Sequence, residues 1–205
     1  MAYSAAFFQN MGNYHSFGSM KFAPEMNSTT FLKILEHHPL YLEKHGEKAK
    51  LYREVVDTMY PQIEREIFNL NKPFKQLGYP MEGGVTSYFS RSMTKKDLAL
   101  VKEFMEHKKI DLLNTRAFKD ENGKFIISVG SINTDRSEYN QIYKGKVFDI
   151  EYGEFKEYLK EVNKYLAKAL KFAANEHETQ MIKKYIKHFN TGDINDHKDS
   201  QRFWI

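Results

Sequence analysis

Between Glu47 and Leu70 apolar residues fall at Leu51, Val55, Met59, Ile63 and Ile67, one every four positions. That spacing predicts a helix with one apolar face. Pro61 lacks an amide hydrogen and predicts a kink or interruption within it. A longer helix is predicted from Glu154 to Ala174, where Phe155, Tyr158, Leu159, Val162, Leu166, Ala169, Leu170 and Ala173 form an apolar stripe opposite lysines and glutamates. Shorter helical stretches complete the pattern. Ser4–Gln9 reads as the end of a helix, closed by the turn-forming Asn10-Met11-Gly12-Asn13. Residues 14–26 are irregular or extended, and Asn27 or Ser28 caps a helix that carries Phe31, Leu32, Ile34 and Leu35 and stops before Pro39. Thr94, with Asp97 three residues on, opens a helix that runs to about His107. Glu176–Phe189 is the next, closed by Asn190-Thr191-Gly192, and Asp193 begins the last.

The alternative, strand-like pattern is confined to the middle of the chain. Asp111–Phe118 and Lys124–Ser131 flank Asp120-Glu121-Asn122-Gly123, and Asn-Gly between two such runs predicts a β-hairpin. A third strand is predicted over Gln141–Ile150 and a short one over Val85–Ser90, after a loop at Asn71–Gly84 that holds two prolines and three glycines. The fold class is α+β, several helices around a small antiparallel sheet, with residues 1–205 forming one incomplete lobe.

Composition narrows the function classes. With 41% hydrophobic residues, 16 Phe and 13 Tyr, the chain has enough apolar surface to build a core. Its 31 Lys+Arg against 27 Asp+Glu leave a net charge of only +4, mixed along the chain, which reads as a solvated surface rather than a nucleic-acid interface. There is no cysteine, so disulfides, thiolate zinc sites and thiol catalysis are excluded. No stretch reaches the roughly 18–20 apolar residues of a membrane span, and MAYSAAFFQNMGNYH has no basic segment ahead of its apolar residues.

Catalytic constellations are sparse. A zinc peptidase helix needs two histidines on one face with a glutamate between them. His177-Glu178 is the sole His-Glu pair, and positions four and five after His177 are Met181 and Ile182. His37-His38 is followed by Pro39, and nothing in the nine-residue separation of His188 and His197 suggests ligand spacing. No Gly-x-Ser-x-Gly elbow and no phosphate loop occurs. No catalytic and no metal-binding residue is assigned. The segment Asn10–Gly18 concentrates amides, hydroxyls, glycines and aromatics, which suits either a peptide-binding wall or a loop whose asparagines satisfy their own neighbourhood.

Four ordered segments, NMGNYHSFGSMKF (Asn10–Phe22), GVTSYFS (Gly84–Ser90), the LLNTRAFK run (Leu112–Lys119) and the final HKDSQRFWI, resemble the dipeptidyl peptidase III family of zinc metallopeptidases. The Ala173–His177 stretch fits the same pattern, so the resemblance covers essentially the whole chain. It implies a two-lobed cytoplasmic enzyme that releases dipeptides from the N-termini of oligopeptides, with zinc held by a His-Glu-x-x-Gly-His helix and a later glutamate. Those zinc residues lie C-terminal to this chain in the family, so the chain corresponds to most of the other lobe, a mixture of β-barrel and helices, and binds no zinc itself. The resemblance also selects Asn10, Asn13, Tyr14, Ser16 and Phe17 as candidate substrate contacts, none of them catalytic. Its expected partners are oligopeptides and the remainder of the parent polypeptide, with neither nucleic acid nor membrane.

Phe203-Trp204-Ile205 ends the chain on three large apolar residues, which should be buried against further polypeptide. The alternative is a short, catalytically dead protein that binds peptides or a protein partner and covers this end there.

Overall fold

The computed structural model describes residues 2–204, and the chain divides into two compact units, Met1–Thr86 and Ser87–Ile205. In the second, the Asp120–Gly123 turn joins strands β1 (Thr115–Lys119) and β2 (Phe125–Gly130) in an antiparallel pair, with Gly123 at a positive φ of 81°. Beyond β2 the expectation needs correction. The predicted single strand over Gln141–Ile150 is two strands, β3 (Glu138–Tyr143) and β4 (Lys146–Glu154), turned at Lys144-Gly145. Both turn residues have positive φ, 46° and 73°, the geometry of a tight hairpin turn without its usual Asn-Gly.

The sheet order is β1-β2-β4-β3, and β2 pairs with β4 in parallel. The sheet is therefore mixed, not antiparallel, and does not close into a barrel. The cause is topological. After β2 the chain skips one position to lay down β3, and the hairpin then returns β4 into the gap.

β4 is central, and its consecutive residues Phe148, Asp149 and Ile150 are all buried. Asp149 is partnered within the sheet: it accepts from the Asn140 amide at 2.7 Å and forms an ion pair with Lys124. Helix α6 (Lys95–Lys108) covers one face with Val101, Phe104 and Met105. Its start is a full capping box, since the Asp97 amide donates to Thr94 Oγ1 at 3.2 Å and the Thr94 amide donates to Asp97 Oδ2 at 2.9 Å. The core is aromatic: Phe148 stacks on Phe104 at 4.0 Å and on Phe125 at 4.9 Å between ring centroids.

The predicted strand over Val85–Ser90 is reduced to isolated bridges, Leu77 with Val85 and Phe89 with Ala117. The helix predicted from Glu154 is α7 (Lys156–Ala169) followed by a 3-10 turn, Leu170–Phe172. Its packing face is narrower than the stripe suggested. Leu159, Asn163 and Leu166 are partly buried, whereas Tyr158 and Val162 are exposed. Asn163 joins that face because its amide donates to Ile186 O of α8 (Glu176–Thr191) and to Asn190 Oδ1. Gly192, at φ 71°, closes α8 and turns the chain into α9 (Ile194–Trp204). This helical hairpin docks on the end of the sheet through backbone bonds from Ile132 to Phe189 O and from Asn133 to Asn190 O. Phe203 is partly buried, Trp204 is exposed, and Ile205 lies outside the described residues.

In the first unit, α1 (Ala2–Asn10) precedes an extended hairpin, and Asn27 caps α2 (Ser28–Glu36) by accepting from the Thr30 amide at 2.8 Å. A short α3 (Pro39–Leu42) leads to α4 (Glu47–Glu54), a π-helical turn at Val55–Met59, and α5 (Tyr60–Phe68). Proline explains the π turn, because Pro61 has no N–H for the carbonyl four residues back. The strain is taken up just before it, with the Tyr60 amide reaching Val55 O, five residues earlier. Most of the stripe read from the sequence faces outward here: Leu51, Val55, Met59 and Ile63 are exposed, and only Ile67 is partly buried. Ala49, Val56 and Tyr60 are buried instead, Tyr60 stacking on Phe31 at 5.7 Å. Among the described residues no helix is long and apolar enough to cross a membrane.

Candidate functional site

The Asn10–Phe22 segment begins where α1 ends. Met11 and Gly12 take positive φ, 55° and 153°, and reverse the chain. The backbone then forms a narrow hairpin in which Tyr14 faces Lys21, closed by the Phe22 amide on Asn13 O at 3.0 Å and the His15 amide on Met20 O at 3.1 Å. A second extended segment lies alongside it, with Lys21 donating to Lys75 O at 2.9 Å and Leu77 to Ser19 O at 2.7 Å. Val85 adds a third layer through bonds with Gln76 and Gly78. The sequence showed an irregular stretch here because each run is only two or three residues long, below what alternation reveals.

The five candidate contacts separate into two sets. Asn10 donates to Ala6 O at 2.8 Å and accepts from the Ser16 amide at 2.7 Å, so it fixes the root of the hairpin. Asn13 donates to Glu66 O at 3.0 Å and Tyr14 to Phe74 O at 2.8 Å, fastening the hairpin to the end of α5 and the segment after it. Burial, reinforced by the Glu66 charge, pushes the Tyr14 phenol above its ordinary value, so it stays a neutral hydrogen-bond donor. Ser16 and Phe17 form the other set. Both lie at the exposed tip, and Phe17 is 101% exposed, with its ring free for an apolar side chain. Lys21 escaped sequence reasoning although its neighbours Met20 and Phe22 are apolar; it is only 7% exposed and donates to Asn69 O at 3.1 Å.

The histidines do not assemble a metal centre. Among the described residues no three His, Asp or Glu side chains converge as a ligand set would. His177 packs edge-on to Phe203, and Glu178 accepts from the Ala174 amide at 2.5 Å, both beside a 590 Å³ hollow that Trp204 also lines. The described residues do not fit a zinc site.

One pair does come together that the sequence spacing concealed. The turn at Gly192 brings His188 and His197 to 5.3 Å between ring centroids, with His188 Nδ1 bonded to Asp193 O at 2.9 Å. Burial, and then His188, hold the His197 imidazole below its ordinary range. The folded state therefore binds this proton more weakly than the unfolded chain. The associated stability is complete above the unfolded value of about 6.5 and is lost as pH falls through the lower folded value. Urea midpoints measured at about pH 7.5 and about pH 5 should show that fall. His197→Gln should show a smaller one, and equal falls in both proteins would remove His197 as the cause.

Residues 59–205 match peptidase family M49, and the chain belongs to that family. Its relatives include dipeptidyl peptidase 3 of Dictyostelium discoideum, 34% identical over 206 residues, and dipeptidyl peptidase 3 of Homo sapiens, 29% identical over 218 residues. Each alignment takes in 100% of this chain and 28% of the relative, so the chain spans under a third of their length.

Proposed function

We propose that this chain is one portion of a zinc-dependent exopeptidase that releases dipeptides from the N-termini of oligopeptides, and that it supplies scaffold and cleft wall while the metal ligands lie in other parts of the polypeptide. The observation that carries the reading is the alignment of the whole chain with dipeptidyl peptidase 3. The hairpin geometry supports the assignment of the wall. Asn10, Asn13 and Tyr14 are engaged in holding the loop, which leaves Ser16 and Phe17 at its tip to meet substrate. A Ser hydroxyl pairs with extended peptide backbone, and a fully exposed phenyl ring packs on a substrate side chain.

On this reading the whole enzyme is cytoplasmic, its partners are oligopeptides and the remainder of its own chain, and the 205-residue chain alone has no peptidase activity. Phe17→Ala in the full-length polypeptide tests the wall directly. The loss of a single apolar contact to substrate should raise KM for a tetrapeptide by about 3- to 10-fold while kcat changes less than about twofold. Zinc content, read by atomic absorption, should not change. Unaltered kinetics in a fully metallated variant would remove Phe17 from the cleft.

A further inference from the structure

We infer that Lys21 is a positioning residue: its ammonium, sunk beside the C-terminal end of α5 between two aromatic rings, locks the Asn13–Phe22 hairpin in the orientation that presents Ser16 and Phe17. The inference rests on the cleft-wall reading for its functional half and on this structure alone for its mechanical half.

Lysine is seldom buried unless something compensates its charge. Here three things do. Nζ donates to Asn69 O at 3.1 Å, one residue past the end of α5. That end carries the partial negative charge of the helix and its unsatisfied carbonyls, a favourable place for a cation. The ammonium also lies 5.8 Å from the Tyr14 ring centroid and 5.9 Å from that of Phe74, within the range of a cation–π contact. Burial lowers the Lys21 pKa, and the charge of Glu66 partly offsets this.

The contacts are arranged as a clamp. Lys21 sits directly opposite Tyr14 in the hairpin, and Tyr14 in turn donates to Phe74 O. Asn13, next to Tyr14, reaches Glu66 O in the last turn of α5. One strand of the hairpin thus grips the helix end through Asn13, and the other grips it through Lys21. The tip between them, residues 15–20, is exposed throughout and gains its orientation from the base. A methionine has the length to fill the same space, but it has no donor for Asn69 O and no charge for the rings.

Lys21→Met and Lys21→Arg in the full-length polypeptide, read by amide hydrogen exchange and by steady-state kinetics, separate the two halves. Lys21→Met should speed exchange in residues 13–22 by about tenfold, the scale of one lost charge-assisted hydrogen bond. Amides of β2 should keep their protection. KM for a tetrapeptide should rise about tenfold with kcat within about twofold, and Lys21→Arg, which retains a cationic donor, should recover most of both. Unchanged exchange in Lys21→Met overturns the clamp. Faster exchange with unchanged KM also overturns the proposal, but through the cleft-wall reading, because the hairpin would then move without affecting substrate.

Discussion

Gly84→Ala is expected to cost about 2–3 kcal/mol, the upper part of the range for overpacking a filled site, and to release the hairpin that carries Ser16 and Phe17. A Cβ at position 84 would lie 2.7 Å from both Cα and the carbonyl carbon of Gly78 and 2.9 Å from its nitrogen. Every one of these is a backbone atom, so no side chain can swing aside. Gly78 must move, and with it the bonds that tie Gln76 and Gly78 to Val85 and Leu77 to Ser19. Hydrogen exchange should quicken in residues 13–22 and 74–78, with β2 as an unaffected reference. Normal protection across the hairpin in the variant would show that the approach of the two glycines does not constrain it.

The larger loss is expected at Phe148. Phe148→Ala should cost about 3–5 kcal/mol, as for large-to-small changes in a closed core. The ring is 0% exposed on the central strand, is stacked between Phe104 and Phe125, and meets Tyr143 edge-on at 6.3 Å. Removing it takes away the ring on which both Phe104 of the helix and Phe125 of the sheet stack, and leaves a cavity between them. Phe148→Leu keeps much of the volume and should lose markedly less. Urea titration of all three proteins checks both, and equal losses for Ala and Leu would mean that the stacking geometry, not the filled volume, sets the cost.

Local chemistry made parts of this fold readable. Thr94 with Asp97 gave the start of α6, Asn-Gly the first hairpin, and Gly192 the end of α8, because in each case the residue type itself solves the backbone problem at that point. The order of the strands was not readable. The Lys144-Gly145 turn uses a lysine at a positive φ, which no composition rule favours, and the parallel pairing of β2 with β4 depends on where the chain travels between them. The stripe at 51, 55, 59 and 63 was a true periodicity attached to the wrong face, since the buried side follows Ala49, Val56 and Tyr60. At the candidate site the amides, hydroxyls and rings of residues 10–17 stood out by type. Which of them hold the loop and which are offered outward depended on partners 53 and 60 residues away, Glu66 and Phe74.

The π turn before Pro61 has a geometric consequence for that outward stripe. On a regular α-helix, residues four apart advance by about 40° beyond a full circle, so a four-residue pattern winds steadily around the rod. The wider turn at Val55–Met59 falls short of a circle over the same four residues. It subtracts where the flanking helices add. That backward step offsets part of the two forward ones, so Leu51, Val55, Met59 and Ile63 drift less around the rod and all stay exposed, and the proline that interrupts the helix limits its winding.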